Sequence, residues 1–166
     1  MKKRNAALVL GLLLALGLTA CGEKTVGEPS PAPDAVSSAS ENHYQDSSFD
    51  LERLLQSVKG FEGACTIATV NADGTPNLSV AIPGAVGECI YFYWADNATK
   101  ANLLREGTAV VSWYLYHPEA ENEAEQYQGA RMVVSPVTDE KELKEIAPDL
   151  SSAATVLRID ELLPIG

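Results

Sequence analysis

From residue 64 onward, apolar side chains recur at every second position in short runs bounded by glycine, proline, asparagine or aspartate. A period of two over that span demands strands with one buried face. Residues 64–70 (ACTIATV) and 76–82 (PNLSVAI) flank Asn71-Ala72-Asp73-Gly74, whose Asp-Gly chemistry closes a hairpin. Further strands are expected at 89–94, 109–116, 127–137 and 154–159, with the glycine-rich PGAVGE as a loop before the third. Only three stretches break the period. Leu51, Leu54, Leu55 and Val58 follow helical spacing after a cap at Ser48 or Asp50, with Gly60 as a stop. Residues 98–106 end at Gly107 as a helix does, and 138–147 form a charged helix stopped by Pro148. Six mostly antiparallel strands with helices only at these places argue for a mainly β domain, a small closed barrel with peripheral helices, with a sandwich as the alternative that pattern alone leaves open.

The chain before this domain has another character. Residues 1–20 begin with Lys2, Lys3 and Arg4 and continue in an apolar run from 6 to 18, too short for the roughly 20 residues of a spanning helix. That is an export signal. Its end, Leu18-Thr19-Ala20-Cys21, resembles the lipobox of bacterial lipoproteins, which implies cleavage before Cys21, lipidation of that residue, and attachment to the extracytoplasmic face of a membrane. Residues 21–48 are rich in proline, serine and alanine and read as a disordered tether, leaving 49–166 for the folded domain.

Charge narrows the partners. Removing residues 1–20 takes away three basic and no acidic side chains, so the formal net charge moves from -11 to -14. Such a chain repels phosphate backbones and is no general nucleic-acid binder. Cys65 and Cys89 both fall in strands, where a buried thiol is the commoner fate and a disulfide the alternative. With His43 in the tether and His117 in a loop, a zinc constellation is not available. The glutamates of 117–126 (HPEAENEAEQ) lack the spacing and turn glycine of a calcium loop and read as a solvated loop or a frayed helical turn.

The stretch IYFYWADNATKANLLREG, residues 90–107, takes an aromatic strand through a polar bend into a helix opening on Thr99 and Lys100. First-turn N–H groups and the helix dipole favour an anion there, and a lysine adds charge. A plain cap by Asp96 or Asn97 with a solvated lysine is the competing interpretation. No nucleophile elbow, no histidine beside a plausible serine or cysteine and no carboxylate pair on rigid strands is present. Cofactor chemistry remains open, because a cofactor that carries the electrons leaves the protein only binding and orientation.

Taken together, the hairpin IATVNADGTPNLSV, the unit IYFYWADNATKANLLREGTAVVSWY, Gly129-Ala130-Arg131, the helix DEKELKEIA and the closing strand to LLPIG resemble the FMN-binding split-barrel family. This is the family of pyridoxamine 5'-phosphate oxidase, and the likeness covers about residues 51–166. It implies a six-stranded antiparallel split barrel, a homodimer with the cofactor at the subunit interface, and electron transfer between a reduced donor and a small-molecule acceptor. On that pattern Asn77, Leu78, Ser79 and Val80 lie along the isoalloxazine edge, and Tyr93, Trp94 and Ala95 flank the ring and ribityl chain. Thr99 and Lys100 bind the phosphate, while Trp113 or Tyr116 covers the ring from the partner chain. Relatives use FMN, deazaflavin or haem; a haem needs an axial histidine, and His117 on a loop is a poor one. The chain departs from the family at the phosphate end. The second strand carries no arginine or lysine, and Thr99 stands where a second cation often sits, leaving Lys100 alone.

Overall fold

The computed structural model describes residues 45–165. The export signal, Cys21 and most of the tether lie outside them. A 3-10 turn at Gln45–Ser47 precedes α1 (Leu51–Gly60), β1 (Ala64–Val70), β2 (Pro76–Ala81), β3 (Gly84–Val86) and β4 (Cys89–Phe92). Then come α2 (Ala98–Glu106), β5 (Ala109–Tyr116), α3 (Glu123–Gln126), β6 (Tyr127–Pro136), α4 (Glu140–Ile146) and β7 (Thr155–Leu163). None of the helices among the described residues is long and apolar enough to cross a membrane.

The described residues form seven strands, not the six expected. The extra one is β3, inside the PGAVGE segment, where Gly84, Ala85 and Val86 pair antiparallel with Tyr91, Ile90 and Cys89. Three residues are too few to display a period, so alternation could not reveal it. Its turn depends on Gly87 at φ 55, and Gly84 admits the Tyr91 ring, which a Cβ would meet at 2.2 Å.

All ladders are antiparallel, in the order β2-β1-β5-β6-β7-β4-β3. β2 and β3 are the two ends of this sheet, yet only Ile82 and Pro83 separate them in sequence. A sheet whose opposite edges are tied so closely must curl on itself. The result is a half-barrel with an unpaired seam between β2 and β3.

Its concave side is the core. Ile67, Val111, Trp113, Leu115, Met132, Val134, Leu157, Ile90 and Phe92 are fully buried there, joined by Leu54 and Val58 of α1 and Leu103 of α2. Asp50 starts α1 by accepting from the Arg53 N–H at 2.8 Å, and the helix ends on Phe61 in the left-handed region. The Trp113 indole N–H donates to Ser57 Oγ of α1 at 2.8 Å, a buried bond between helix and sheet. On the other side of β4 and β7, Leu143, Ile146 and Leu150 pack over Cys89, Val137 and Val156 in a second, smaller cluster. Near the start of the described residues, Ser48 bridges to Gly129 and the Phe49 N–H donates to the Gly129 carbonyl at 2.8 Å.

Cys65 and Cys89 are both buried and free. Burial pushes the Cys65 thiol up to about 12. The unfolded chain loses that proton first as pH rises, so this group's contribution to stability is intact below the ordinary thiol range. It is lost at about 1.4 kcal/mol per pH unit as pH rises from there towards 12. Urea denaturation between pH 8 and 11 is expected to show a shallower alkaline decline for Cys65→Ala than for the native chain; equal slopes would contradict it.

Candidate functional site

β2 has a neighbour on one side only, so its free edge keeps backbone N–H and C=O groups unpaired with any other strand. The hairpin register sets which way its side chains point. Thr69 faces Asn77 and Ile67 faces Ser79, so Asn77 and Ser79 lie on the inner side with the core residues of β1. Leu78 and Val80 alternate outward and are 70% and 79% exposed.

The start of α2 docks onto this inner side. Asn97 caps the helix by accepting from the Lys100 N–H at 2.9 Å. Thr99 is buried, and its hydroxyl donates to Ser79 Oγ at 3.0 Å while accepting from the Asn77 amide at 3.0 Å. The same amide donates to Thr69 Oγ1 at 3.0 Å. One turn further on, the buried Asn102 amide donates to Thr69 Oγ1 at 3.2 Å and to Asn71 Oδ1 at 2.8 Å. Asn102 Oδ1 accepts from Arg105 Nη1 at 3.0 Å, and Arg105 Nη2 reaches the Val70 carbonyl. Thr99, Asn102 and Leu103 are the buried residues of α2, two polar and one apolar. Hydrogen bonds therefore fix where this helix sits as much as the hydrophobic effect does.

Three residues expected at the site, Asn77, Ser79 and Thr99, thus meet in one cluster, and Lys100 follows them on the helix. Lys100 does not stand free. Its Nζ lies 2.8 Å from Asp96 Oδ1, with the lysine side chain 26% exposed and the aspartate 96%. The hydrogen bond from Lys100, reinforced by its charge, holds the Asp96 carboxyl below the usual carboxylate range.

The aromatic residues divide. Tyr93 is exposed and meets Tyr91 edge to face at 5.6 Å, while Ala95 is exposed beyond the strand end. Trp94 stacks on Phe92 at 4.7 Å and donates to Thr155 Oγ1 at 2.9 Å, which directs it to the core side. Trp113 is corrected as a cover for a partner's ring: it is buried within its own chain, and Ser57 takes its N–H. The outward residues of β5 are Val110, Ser112, Tyr114 and Tyr116, and Tyr116 stacks on Tyr127 at 5.2 Å.

No family model matches this chain, and no curated protein does. Among solved structures, an FMN-binding protein from Syntrophomonas wolfei superposes with a TM-score of 0.51 at 20% identity, covering 70% of this chain and 86% of that one. The two share a fold. Looser overlaps are found with the FAD binding protein from Mycobacterium smegmatis, at TM-score 0.47 and 13% identity over 69% of this chain and 92% of that one. The haem storage protein HutZ from Vibrio cholerae gives 0.42 and 16% over 70% and 91%. The seven-stranded half-barrel is consistent with a split barrel, the fold expected from the sequence, with one strand added.

The split barrel's donor set suits a flavin nucleotide. The free edge of β2 and the Ser79 hydroxyl offer groups for a heteroaromatic edge, and the opening of α2 offers Lys100 for an anion. The Asp96 carboxylate already stands in for that anion. Sequence reasoning missed Thr69, Asn102 and Arg105, and it named Asn71 only as a turn residue and Asp96 only as a candidate cap, where they prove to be partners of Asn102 and Lys100. The register of the hairpin, closed by Asn71 N–H to the Thr75 carbonyl at 2.8 Å, carried the signal for Thr69, because it sets Thr69 opposite Asn77.

Proposed function

We propose that this chain is an FMN-binding split-barrel protein that passes electrons between a reduced donor and a small-molecule acceptor, held at the outer face of a membrane by lipid on Cys21. The observation that carries the proposal is the hydrogen-bonded union of Asn77, Ser79 and Thr99. It locks a strand edge to a helix start, and a ligand with a flat polar ring at one end and a phosphate at the other requires both.

FMN supplies one- and two-electron chemistry when bound. The chain's own work is binding and orientation. The β2 edge from Asn77 to Val80, with the Ser79 hydroxyl, receives the ring edge; Tyr93, Trp94 and Ala95 border it; Lys100 and the first turn of α2 take the phosphate.

A second copy of the chain completes the cleft. Leu78, Ala68 and Val110 form one cross-strand row on the outer face, followed by Val80, Thr66 and Ser112. Tyr114 and Tyr116 extend this face along β5. Exposed apolar rows of this kind fit a symmetric interface, which needs about 800 Å² from each partner. Tyr114 and Tyr116 replace Trp113 as the aromatics offered to the neighbouring subunit.

Titration of the purified domain with FMN, followed by flavin fluorescence, is the test. Uptake is expected, and Lys100→Ala is expected to weaken it about tenfold without lowering the thermal midpoint. A colourless protein that ignores added FMN would leave the alternative, a non-catalytic surface-presenting lipoprotein on the same barrel.

A further inference from the structure

The positive charge nearest the proposed phosphate position is already engaged by the chain itself. Between residues 93 and 106 the cations are Lys100 and Arg105, and the anions are Asp96 and Glu106. Arg105 is committed to Glu106 at 2.6 Å, to Asn102 and to the Val70 carbonyl. Lys100 is held by Asp96 at 2.8 Å. Other donors beside the helix start are engaged as well: the Lys100 N–H on Asn97, the Thr99 hydroxyl on Ser79, and both Asn77 amide hydrogens on Thr69 and Thr99.

Building on the flavin cleft proposed above, we infer that Asp96 is a specificity-determining residue of its phosphate end: its carboxylate competes with the phosphate of FMN for Lys100. The aspartate occupies the place an incoming anion would take, just ahead of the helix and four residues before the lysine, where the helix dipole favours negative charge. A phosphate dianion must displace it and then remain beside it. An unphosphorylated flavin has no need of Lys100 and meets no such rival. FMN is therefore held exchangeably, and the chain prefers FMN to riboflavin by less than an unopposed Lys100 would give.

Asp96 is suited to a clean test, because its side chain is almost wholly exposed and touches Lys100 alone among the described contacts. The intact domain is titrated with FMN and with riboflavin in the native form, in Asp96→Asn, in Lys100→Ala and in the double variant. Asp96→Asn is expected to tighten FMN about fivefold, the scale of an exposed ion pair plus a screened repulsion, and to leave riboflavin within about twofold. In the Lys100→Ala background the same change is expected to give at most about a twofold gain, since nothing is left to compete for. Unchanged FMN affinity in Asp96→Asn, or an equal gain for riboflavin, overturns the role of Asp96 while leaving the flavin cleft standing. Failure of the native chain to take up either flavin overturns the cleft and this role together.

Discussion

A Gly129→Ala chain is expected to lose about 3–5 kcal/mol of stability, enough to leave much of it unfolded at 37 °C. Gly129 sits in β6 at φ 151, and a Cβ there would lie 2.1 Å from the Trp113 carbonyl oxygen. That oxygen is backbone and cannot turn aside. Relief would have to push β6 away from β5 beside Trp113, the largest side chain in the core. It would also disturb the Gly129 carbonyl that receives the Phe49 N–H. Gly107→Ala is the natural control. Its φ is 72, but no atom lies within 4 Å of the added carbon, so the expected cost is only about 1–2 kcal/mol. Urea denaturation of the two variants separates steric conflict from backbone preference; equal losses would contradict the steric account.

Asn102→Leu is expected to cost about 2–4 kcal/mol and to weaken FMN uptake as well. The change removes two donated bonds and one accepted bond from a buried position, and it leaves Thr69, Asn71 and Arg105 each short of a partner. Thr69 also receives the Asn77 amide, so loosening it loosens the strand on which the flavin edge is proposed to lie. Leu104→Ala, on the exposed side of the same helix, is expected to change stability by less than about 0.5 kcal/mol. Denaturation and flavin titration of both variants read the two effects; normal FMN affinity in Asn102→Leu would detach the network from the cleft.

Much of this fold could be read from residue order. The boundaries of α2 are set by the Asn97 cap and Gly107, and both residues announce themselves in sequence. β5 carries its own orientation: Ala109, Val111, Trp113 and Leu115 share one parity and Val110, Ser112, Tyr114 and Tyr116 the other, so the more apolar set turns inward. That parity already argued for Trp113 in the core, against the role suggested by resemblance. The polar network was harder to foresee. Hydropathy assigns asparagine and threonine to the surface, whereas here Thr69, Thr99 and Asn102 are buried because they satisfy one another. Such mutual satisfaction depends on hairpin register and helix phase together, and neither is visible in a single stretch of sequence. β3 was hidden for a different reason, being defined by its partner β4 and not by any pattern of its own.

The seam between β2 and β3 bears on how the barrel moves. Six ladders hold the sheet together, and none of them crosses that seam. Parting its two lips therefore breaks no interstrand hydrogen bond; the motion is borne by Ile82 and Pro83 and by the way α1 and α2 seat against the strands. Of all deformations open to a curled sheet, this is the one that leaves every rung in place. Parting along this line would uncover the free edge of β2 while all six ladders stay paired.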